Sequence, residues 1–327
     1  MIYDLAIIGG GSAGLSIAAA AAQFGEKVVL FEKGEMGGDC LNAGCVPSKS
    51  LIAAAKYAQA QRSSAPYGVA AIEPKVDYAK VMDHVQSVIA TIAPHDSVER
   101  FEGLGVKVIK ARAAFVNAKV LEAAGQRYAA RKIVIATGSH AGLPPIQGLK
   151  DVPYLTNETL FKNRVMPEHL IIIGGGPIGM EMAQAHRRLG CKVTVLEAFK
   201  ALAKDDPELT SVVLSSIRAE GVDIRENCQI ASVSQQKSRI TIALGTGELI
   251  VGSHLLVAAG RVPNLDGLNL EAGGVAFDKR GIKVDGGLRS ISNRSVYAAG
   301  DVAGGLQFTH VAGYHAGLII RLSLIHI

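Results

Sequence analysis

The 327-residue sequence has no tryptophan, and aromatic residues make up only 5% of it. Basic residues never run together in a tract or alternate with aromatics, although Lys and Arg (34) outnumber Asp and Glu (29) for a formal charge of +5. Stacking platforms and an electrostatic track for a polyanion are both missing, so nucleic acid is excluded as an expected partner. Charged residues are sparse at 19%, hydrophobic residues reach 49%, and there are 37 glycines. That balance suits a globular α/β protein and excludes disorder and fibrous repeats.

Residues 5–24 carry no charge at all. The stretch is about as long as a membrane span, but no positive segment precedes it, Asp4 sits at its edge, and Gly9, Gly10, Gly11 and Gly14 interrupt it as a turn does. Neither a membrane span nor a secretory signal is expected, and the reading is a cytoplasmic protein. Cysteine is scarce too, with four in the chain. In a reducing compartment the close pair Cys40 and Cys45 reads as catalytic or metal-binding rather than as a structural staple.

The chain is long enough for two domains, each with its own core. It opens as strand (3–8), glycine turn (9–14), Ala-rich helix (to 24) and strand (27–31), a βαβ unit. A second copy starts at Leu170, with a strand at 171–173, a turn at 174–179, a helix to Leu189 and a strand at 192–196. Two such units imply two nucleotide sites. Between them, 47–61 and 77–104 read as helices and 106–115, 120–124 and 128–135 as strands. Segments 142–153 and 261–267 look like a linker in and a linker out. Short strands at 281–284 and 296–299 and a helix from Thr309 follow. The expected fold is α/β, with two Rossmann-like, doubly wound domains, the second (151–267) inserted into the first (1–150 and 268–321).

Gly9-x-Gly11-x-x-Gly14 follows a strand and opens a helix, and Glu32 closes the next strand. Glycines there permit a tight turn, close backbone approach to a pyrophosphate and packing of helix on strand, while the helix N-terminus supplies partial positive charge. Glu32 can accept from a ribose 2′-hydroxyl. Gly174, Gly176, Gly179 and Glu197 repeat the pattern. A carboxylate at Glu197 repels a 2′-phosphate, so NADH is expected over NADPH, tempered by the nearby cations Lys200, Arg187 and Arg188. Four residues between Cys40 and Cys45 let two sulfurs meet across one turn at a helix start, where the dipole favours thiolate. No third cysteine follows at the spacing an iron–sulfur cluster needs. Cys191 and Cys228 read as small buried hydrophobes, and no metal site is expected.

The run Gly37-Gly38-Asp39-Cys40-Leu41-Asn42-Ala43-Gly44-Cys45-Val46-Pro47-Ser48-Lys49 resembles the redox-active motif of class I pyridine nucleotide-disulfide oxidoreductases, the group of dihydrolipoamide dehydrogenase, glutathione reductase and mercuric reductase. The resemblance continues through Ala136-Thr137-Gly138, Ala259-Gly260-Arg261-Val262-Pro263-Asn264 and Tyr297-Ala298-Ala299-Gly300-Asp301. It implies that 1–150 and 268–321 bind FAD and 151–267 binds NAD(P). It also implies that Cys45 lies against the flavin, that Cys40 attacks the substrate, and that Lys49 and Glu181 form a buried ion pair near flavin N5. Ser12, Lys33, Gly38, Thr137, Gly138, Gly260, Arg261 and Asp301 are implied cofactor contacts. So are Thr309 and His310, which begin the last helix. The expected activity passes hydride from NAD(P)H through FAD to the Cys40–Cys45 disulfide and on to a small or protein-bound disulfide such as lipoamide. Open alternatives are reduction of a quinone or a metal ion such as mercuric ion, and a nucleotide-binding fragment without turnover.

The sequence departs from the family pattern in places. Asp39 stands where lipoamide dehydrogenases carry Thr, and Pro177 where some members place an aromatic gate. The sequence opens directly on its first strand, so an N-terminal metal-binding domain of the mercuric reductase kind is not expected. The family's C-terminal interface domain, which supplies a His–Glu pair and the homodimer contact, is expected to be absent, so a homodimer is expected only of a full-length form. Residues 322–327 match the translation of a transposon end used as a sequencing adapter, so the tail after Arg321 is expected to be non-native.

Overall fold

A computed structural model of the chain describes residues 2–323. It divides into two compact units: the described residues of Met1–Asn42, Ile89–His140 and Arg261–Ile327, and Ala43–Val88 with Ala141–Gly260. Along the chain the elements are β1 (Ile2–Ile8), α1 (Ser12–Gln23), β2 (Val28–Phe31), α2 (Gly38–Asn42), α3 (Cys45–Arg62), α4 (Tyr78–Ile92), α5 (Val98–Gly103), β3 (Lys107–Ile109), β4 (Ala114–Asn117), β5 (Val120–Ala123), β6 (Gln126–Ile135) and β7 (Ser139–Ala141). They continue as α6 (Asn157–Leu160), β8 (His169–Ile173), α7 (Pro177–Arg188), β9 (Lys192–Leu196), α8 (Pro207–Ala219), β10 (Asp223–Arg225), β11 (Ile230–Gln236), β12 (Arg239–Leu244), β13 (Leu249–Gly252) and β14 (His254–Val257). The last are β15 (Arg261–Pro263), β16 (Phe277–Asp278), β17 (Gly281–Ile282), β18 (Val296–Ala298) and α9 (Thr309–Ser323).

The first unit is built on a seven-stranded sheet in the order β3-β2-β1-β6-β5-β4, with β18 also paired to β6. The long β6 serves two partners along one edge: 126–129 run antiparallel to β5 and 133–135 parallel to β18. Its central strands are buried on both faces, which is why they read as near-continuous apolar runs. Leu5, Ile7, Val28, Leu30 and Val134 face Ile17, Ala18 and Ala21 of α1 and Ala316 and Ile319 of α9. Ala6, Ile8, Val29, Phe31, Ile133 and Ile135 face the opposite core around Phe115, Leu121, Leu268 and Leu270. A slip of one residue exchanges these sets, so the alternation fixes the register that delivers Gly9 to the strand end.

In the second unit β8, β9, β10 and β14 form a parallel sheet in the order β10-β9-β8-β14. A three-stranded antiparallel sheet, β11-β12-β13, packs Val233, Ile240, Ile242 and Ile250 onto Ile171, Ile173, Leu255 and Val257. Residues 43–88, placed with the first domain by the sequence reading, fall in this compact unit. Arg62 Nη1 donates to the Arg188 carbonyl at 2.5 Å, and the Tyr78 hydroxyl meets His186 Nε2 at 3.0 Å.

The expected helix over 77–104 is broken. Pro94 interrupts it with a 3₁₀ turn, Ala93–Asp96, and Ser97 starts α5 by accepting from the Arg100 N–H at 3.2 Å. The expected strand 106–115 splits into β3, parallel to β2, and β4, at the far end of the sheet. The uncharged 5–24 stretch is most of a strand, a turn and a 12-residue helix. Among the described residues no helix is long and apolar enough to cross a membrane. Leu322 and Ser323 continue α9, and Lys132 Nζ donates to the Ser323 carbonyl. Residues 324–327, the rest of the expected non-native tail, lie outside the described residues.

Candidate functional site

The two glycine turns have matching geometry. Gly9 and Gly174 both take φ +113°, and an added Cβ would lie 2.3 Å from the Ala136 carbonyl oxygen and 2.4 Å from that of Ala258, respectively. At Gly14 it would lie 1.9 Å from the Gly9 oxygen, and at Gly179 2.1 Å from the Gly174 oxygen. These four positions let turn, helix and neighbouring strand close on one another. Gly11 and Gly176 differ. They are the N-caps of α1 and α7, no side chain caps either helix, and neither has an acid in its first turn. An added Cβ at Gly176 meets nothing within 4 Å, and at Gly11 only the Gly38 Cα at 3.7 Å. Each helix start therefore presents N–H groups and the positive dipole end to a space that a side chain would fill, which fits a pyrophosphate. Ser12 begins α1, and Gly38 (φ +60°) comes so near Gly11 that a Cβ there would lie 2.6 Å from the Gly11 Cα.

Each acid is clamped by backbone. Glu32 accepts from the Gly10 and Gly34 N–H groups, both at 2.6 Å, and Glu197 from Gly175 at 2.6 Å and Phe199 at 2.9 Å. Two-point anchoring leaves further lone pairs on each carboxylate for a ribose hydroxyl. Lys33 is exposed beside Glu32. Arg187 and Arg188 turn away to Glu220: Arg188 makes two 2.6 Å bonds to its carboxylate, and Arg187 Nε donates to its carbonyl at 2.8 Å.

A second polar group gathers in the first unit. Ser139 Oγ donates to Asp301 Oδ2 at 2.5 Å and accepts from Arg261 Nε at 2.7 Å, while Arg261 Nη2 donates to the Ser139 carbonyl at 3.0 Å. Thr137 Oγ1 donates to the Asn264 carbonyl at 2.7 Å, and the Asn264 amide donates back to the Thr137 carbonyl at 2.9 Å. The Gly138 carbonyl accepts from the Asn264 N–H. Gly260, at φ +117°, precedes Arg261. The Gly300 N–H donates to His315 Nδ1 at 3.2 Å, which requires a neutral ring, and burial lowers the pKa of that imidazole while Asp301 opposes the shift. Thr309 and His310 are exposed at the start of α9, where His310 stacks on Phe308 at 5.3 Å between centroids.

Cys40 lies half-buried in α2, and Cys45 is the exposed first residue of α3, at its dipole-positive end. Lys49 Nζ and Glu181 Oε1 meet at 2.6 Å across 132 residues of sequence. The expected partners are thus brought together, but not as a buried pair: their side chains are 62% and 38% exposed. They sit one turn into α3 and α7, near the helix starts where chain meets solvent. Cys191 is buried, its thiol pushed up to about 12 by desolvation, and Cys228 is partly buried. No group of three or more potential metal ligands occurs among the described residues.

Sequence reasoning missed Ser139, which joins Asp301 to Arg261, and His315, which holds the Gly300 N–H. The signal for Ser139 was a hydroxyl directly after the Ala-Thr-Gly run. His315 gave none, because its partner lies 15 residues away on another element.

The family model for the pyridine nucleotide-disulphide oxidoreductases matches residues 3–316. The chain belongs to this family. Members of the family are FAD-dependent and use NAD(P)H. Mercuric reductase of Lysinibacillus sphaericus is 35% identical over 321 residues, covering 97% of this chain and 59% of the relative. Mercuric reductase of Streptomyces lividans is 36% identical, covering 97% and 69%. Among solved structures, the HOCl-induced flavoprotein disulfide reductase RclA from Escherichia coli superposes with a TM-score of 0.89 at 28% identity, over 99% of this chain and 72% of that one. LpdA from Mycobacterium tuberculosis gives 0.88 at 26% identity, over 98% and 72%. The chain spans about three fifths of the length of the first curated relatives it matches.

Proposed function

We propose that the chain is the nucleotide-binding part of a cytoplasmic, FAD-dependent NADH:disulfide oxidoreductase whose redox pair is Cys40 and Cys45. The net reaction is NADH, a proton and a disulfide giving NAD and two thiols. The observation that carries this reading is the duplicated turn with its clamped acid, in a chain that also starts a helix on the second cysteine of a Cys-x-x-x-x-Cys pair. Bound FAD supplies the two-electron link between a nicotinamide and a disulfide.

The protein's own residues have definite tasks. The α1 and α7 N-termini, at Gly11 and Gly176, hold the pyrophosphates of FAD and the nicotinamide nucleotide. Glu32 and Glu197 each accept from a ribose hydroxyl. Because Arg187 and Arg188 are committed to Glu220, Glu197 faces the incoming ribose without those cations, which favours NADH over NADPH. Asp301 keeps Oδ1 for a ribityl hydroxyl while Ser139 occupies Oδ2. The α3 dipole favours a thiolate at Cys45, and Lys49, oriented by Glu181, places a cation one turn on. Cys40 is the sulfur that meets the substrate. The acceptor is a small or protein-bound disulfide, lipoamide being the model compound, and the full-length form is a homodimer.

The test is thiol labelling. Air-oxidised chain loaded with FAD is treated anaerobically with NADH, quenched with N-ethylmaleimide and mapped by mass spectrometry. NADH-dependent labelling of Cys40 and Cys45 is expected, and none of it in Cys45→Ser. Equal labelling with and without NADH in the wild type would sink the proposal. A second reading, a metal ion as terminal acceptor, draws on the mercuric reductase names of the curated relatives. NADH consumption driven by mercuric ion but not by lipoamide or glutathione disulfide selects it.

A further inference from the structure

One guanidinium in the first unit lies between two carboxylates. Arg261 Nη2 is 3.3 Å from Asp39 Oδ2 and Nε is 3.7 Å from Asp301 Oδ2, with the arginine side chain only 12% exposed. Ser139 fixes its orientation through both its hydroxyl and its carbonyl. The rigid fork of an arginine suits such a role, because it can serve several acceptors in one plane without losing charge. The formal sum is one positive and two negative charges. Asp39 occupies the first turn of α2 and directly precedes Cys40.

A carboxylate near a thiol opposes its ionisation, and the thiolate is the nucleophile. We propose that Asp39 and Arg261 together set the reactivity of Cys40, the carboxylate holding the sulfur as a thiol and the guanidinium limiting that hold. The inference rests on the reading above that Cys40 is the sulfur meeting the substrate. It makes the residue before the cysteine a determinant of how readily that sulfur attacks, and it leaves the negative charge of the reduced pair to Cys45. Two other groups border this cluster. The Asp96 carboxylate lies against Gly37 and has its pKa raised by burial, and neutral His315 reaches Gly300 beside Asp301. Neither is altered in the variants below, so their influence is common to all of them.

The experiment follows alkylation of Cys40 by iodoacetamide against pH, by peptide mass spectrometry, in the Cys45→Ser chain so that one sulfur of the pair remains. Adding Asp39→Asn should move the midpoint to lower pH by about 0.5–1 unit, which is roughly three- to tenfold faster labelling near neutrality. Adding Arg261→Gln should move it in the opposite direction by a similar amount. Asp39→Thr should reproduce the Asn result and serves as the second replacement. Opposed shifts are what charge produces, whereas loss of structure would expose Cys40 and move both variants the same way. Shifts of the same sign, or midpoints all within roughly 0.2 units of the parent, overturn the proposal. No flavin or nicotinamide is needed, so the result stands apart from the NADH-dependent labelling that tests the redox reading.

Discussion

Two glycines of one turn should separate folding from nucleotide binding. At Gly179 an alanine methyl would sit 2.1 Å from the Gly174 carbonyl oxygen, over an ångström inside ordinary contact, and its neighbour is backbone that cannot rotate away. Forcing the two apart costs on the order of 3 kcal/mol. Replacing glycine in a helix regains about 1 kcal/mol. The net loss for Gly179→Ala is about 2 kcal/mol, a drop in Tm of roughly 4–8 °C for a unit of this size. At Gly176 the same methyl meets nothing within 4 Å, and the backbone there (φ −76°, ψ −179°) is open to any residue. Gly176→Ala should therefore keep its Tm within about 2 °C. It should nonetheless weaken NADH binding at least tenfold, about 1.4 kcal/mol, because under the proposed function the methyl enters the space assigned to the pyrophosphate. Thermal unfolding by circular dichroism and NADH titration by calorimetry measure the two effects. An unchanged Tm in Gly179→Ala, or NADH binding of wild-type strength in Gly176→Ala, would refute the division of labour.

Acid should destabilise the chain through His186. It is fully buried, accepts from the Tyr78 hydroxyl, and has its pKa lowered by burial from 6.5 to about 4. The unfolded chain binds the proton more readily, so this contribution is complete above pH 6.5 and is lost as pH falls toward 4. The amount is on the order of 3 kcal/mol, and the double replacement His186→Phe with Tyr78→Phe should flatten the pH dependence of the urea midpoint in that window. His169, His254 and His315 are shifted in the same direction and leave a residual slope. An identical slope in the double variant would count against the account. Ser139→Ala removes the hydroxyl shared by Asp301 and Arg261 and should cost about 1–3 kcal/mol, read from the urea midpoint at neutral pH. No change there would mean that the cluster behaves like surface charge.

The sequence was most legible where one physical demand governs several residues at once. The first βαβ unit is readable because strands buried on both faces need unbroken apolar runs, and because only glycine tolerates the turn at Gly9 and the contact at Gly14. The β11–β13 sheet was not read. Its exposed faces carry Ser232, Ser234, Gln236 and Arg239, which mimic a polar loop, while Val233, Ile240 and Ile242 alternate inward too briefly to stand out. Pro94 marked the end of α4 in plain view, but the apolar residues on either side of it suggested continuity. At the candidate site, the glycines, acids and cysteines stood out by spacing, and the family resemblance implied the pairing of Lys49 with Glu181, which meet at 2.6 Å. The state of that pair was not, since exposure depends on where two helix starts lie on the surface and not on spacing. The Arg261 cluster draws on four separated segments and becomes apparent only once the chain is folded.

The clamped acids bear on any attempt to recode nucleotide preference. Glu197 is a fastening for its loop before any coenzyme arrives: Gly175 and Phe199 both donate to it. Substituting it with arginine to welcome an extra phosphate would strand two amides and loosen the segment that, under the proposed function, grips the nucleotide. A successful redesign would have to rebuild the 197–200 segment, supplying a new acceptor for those N–H groups along with the new charge.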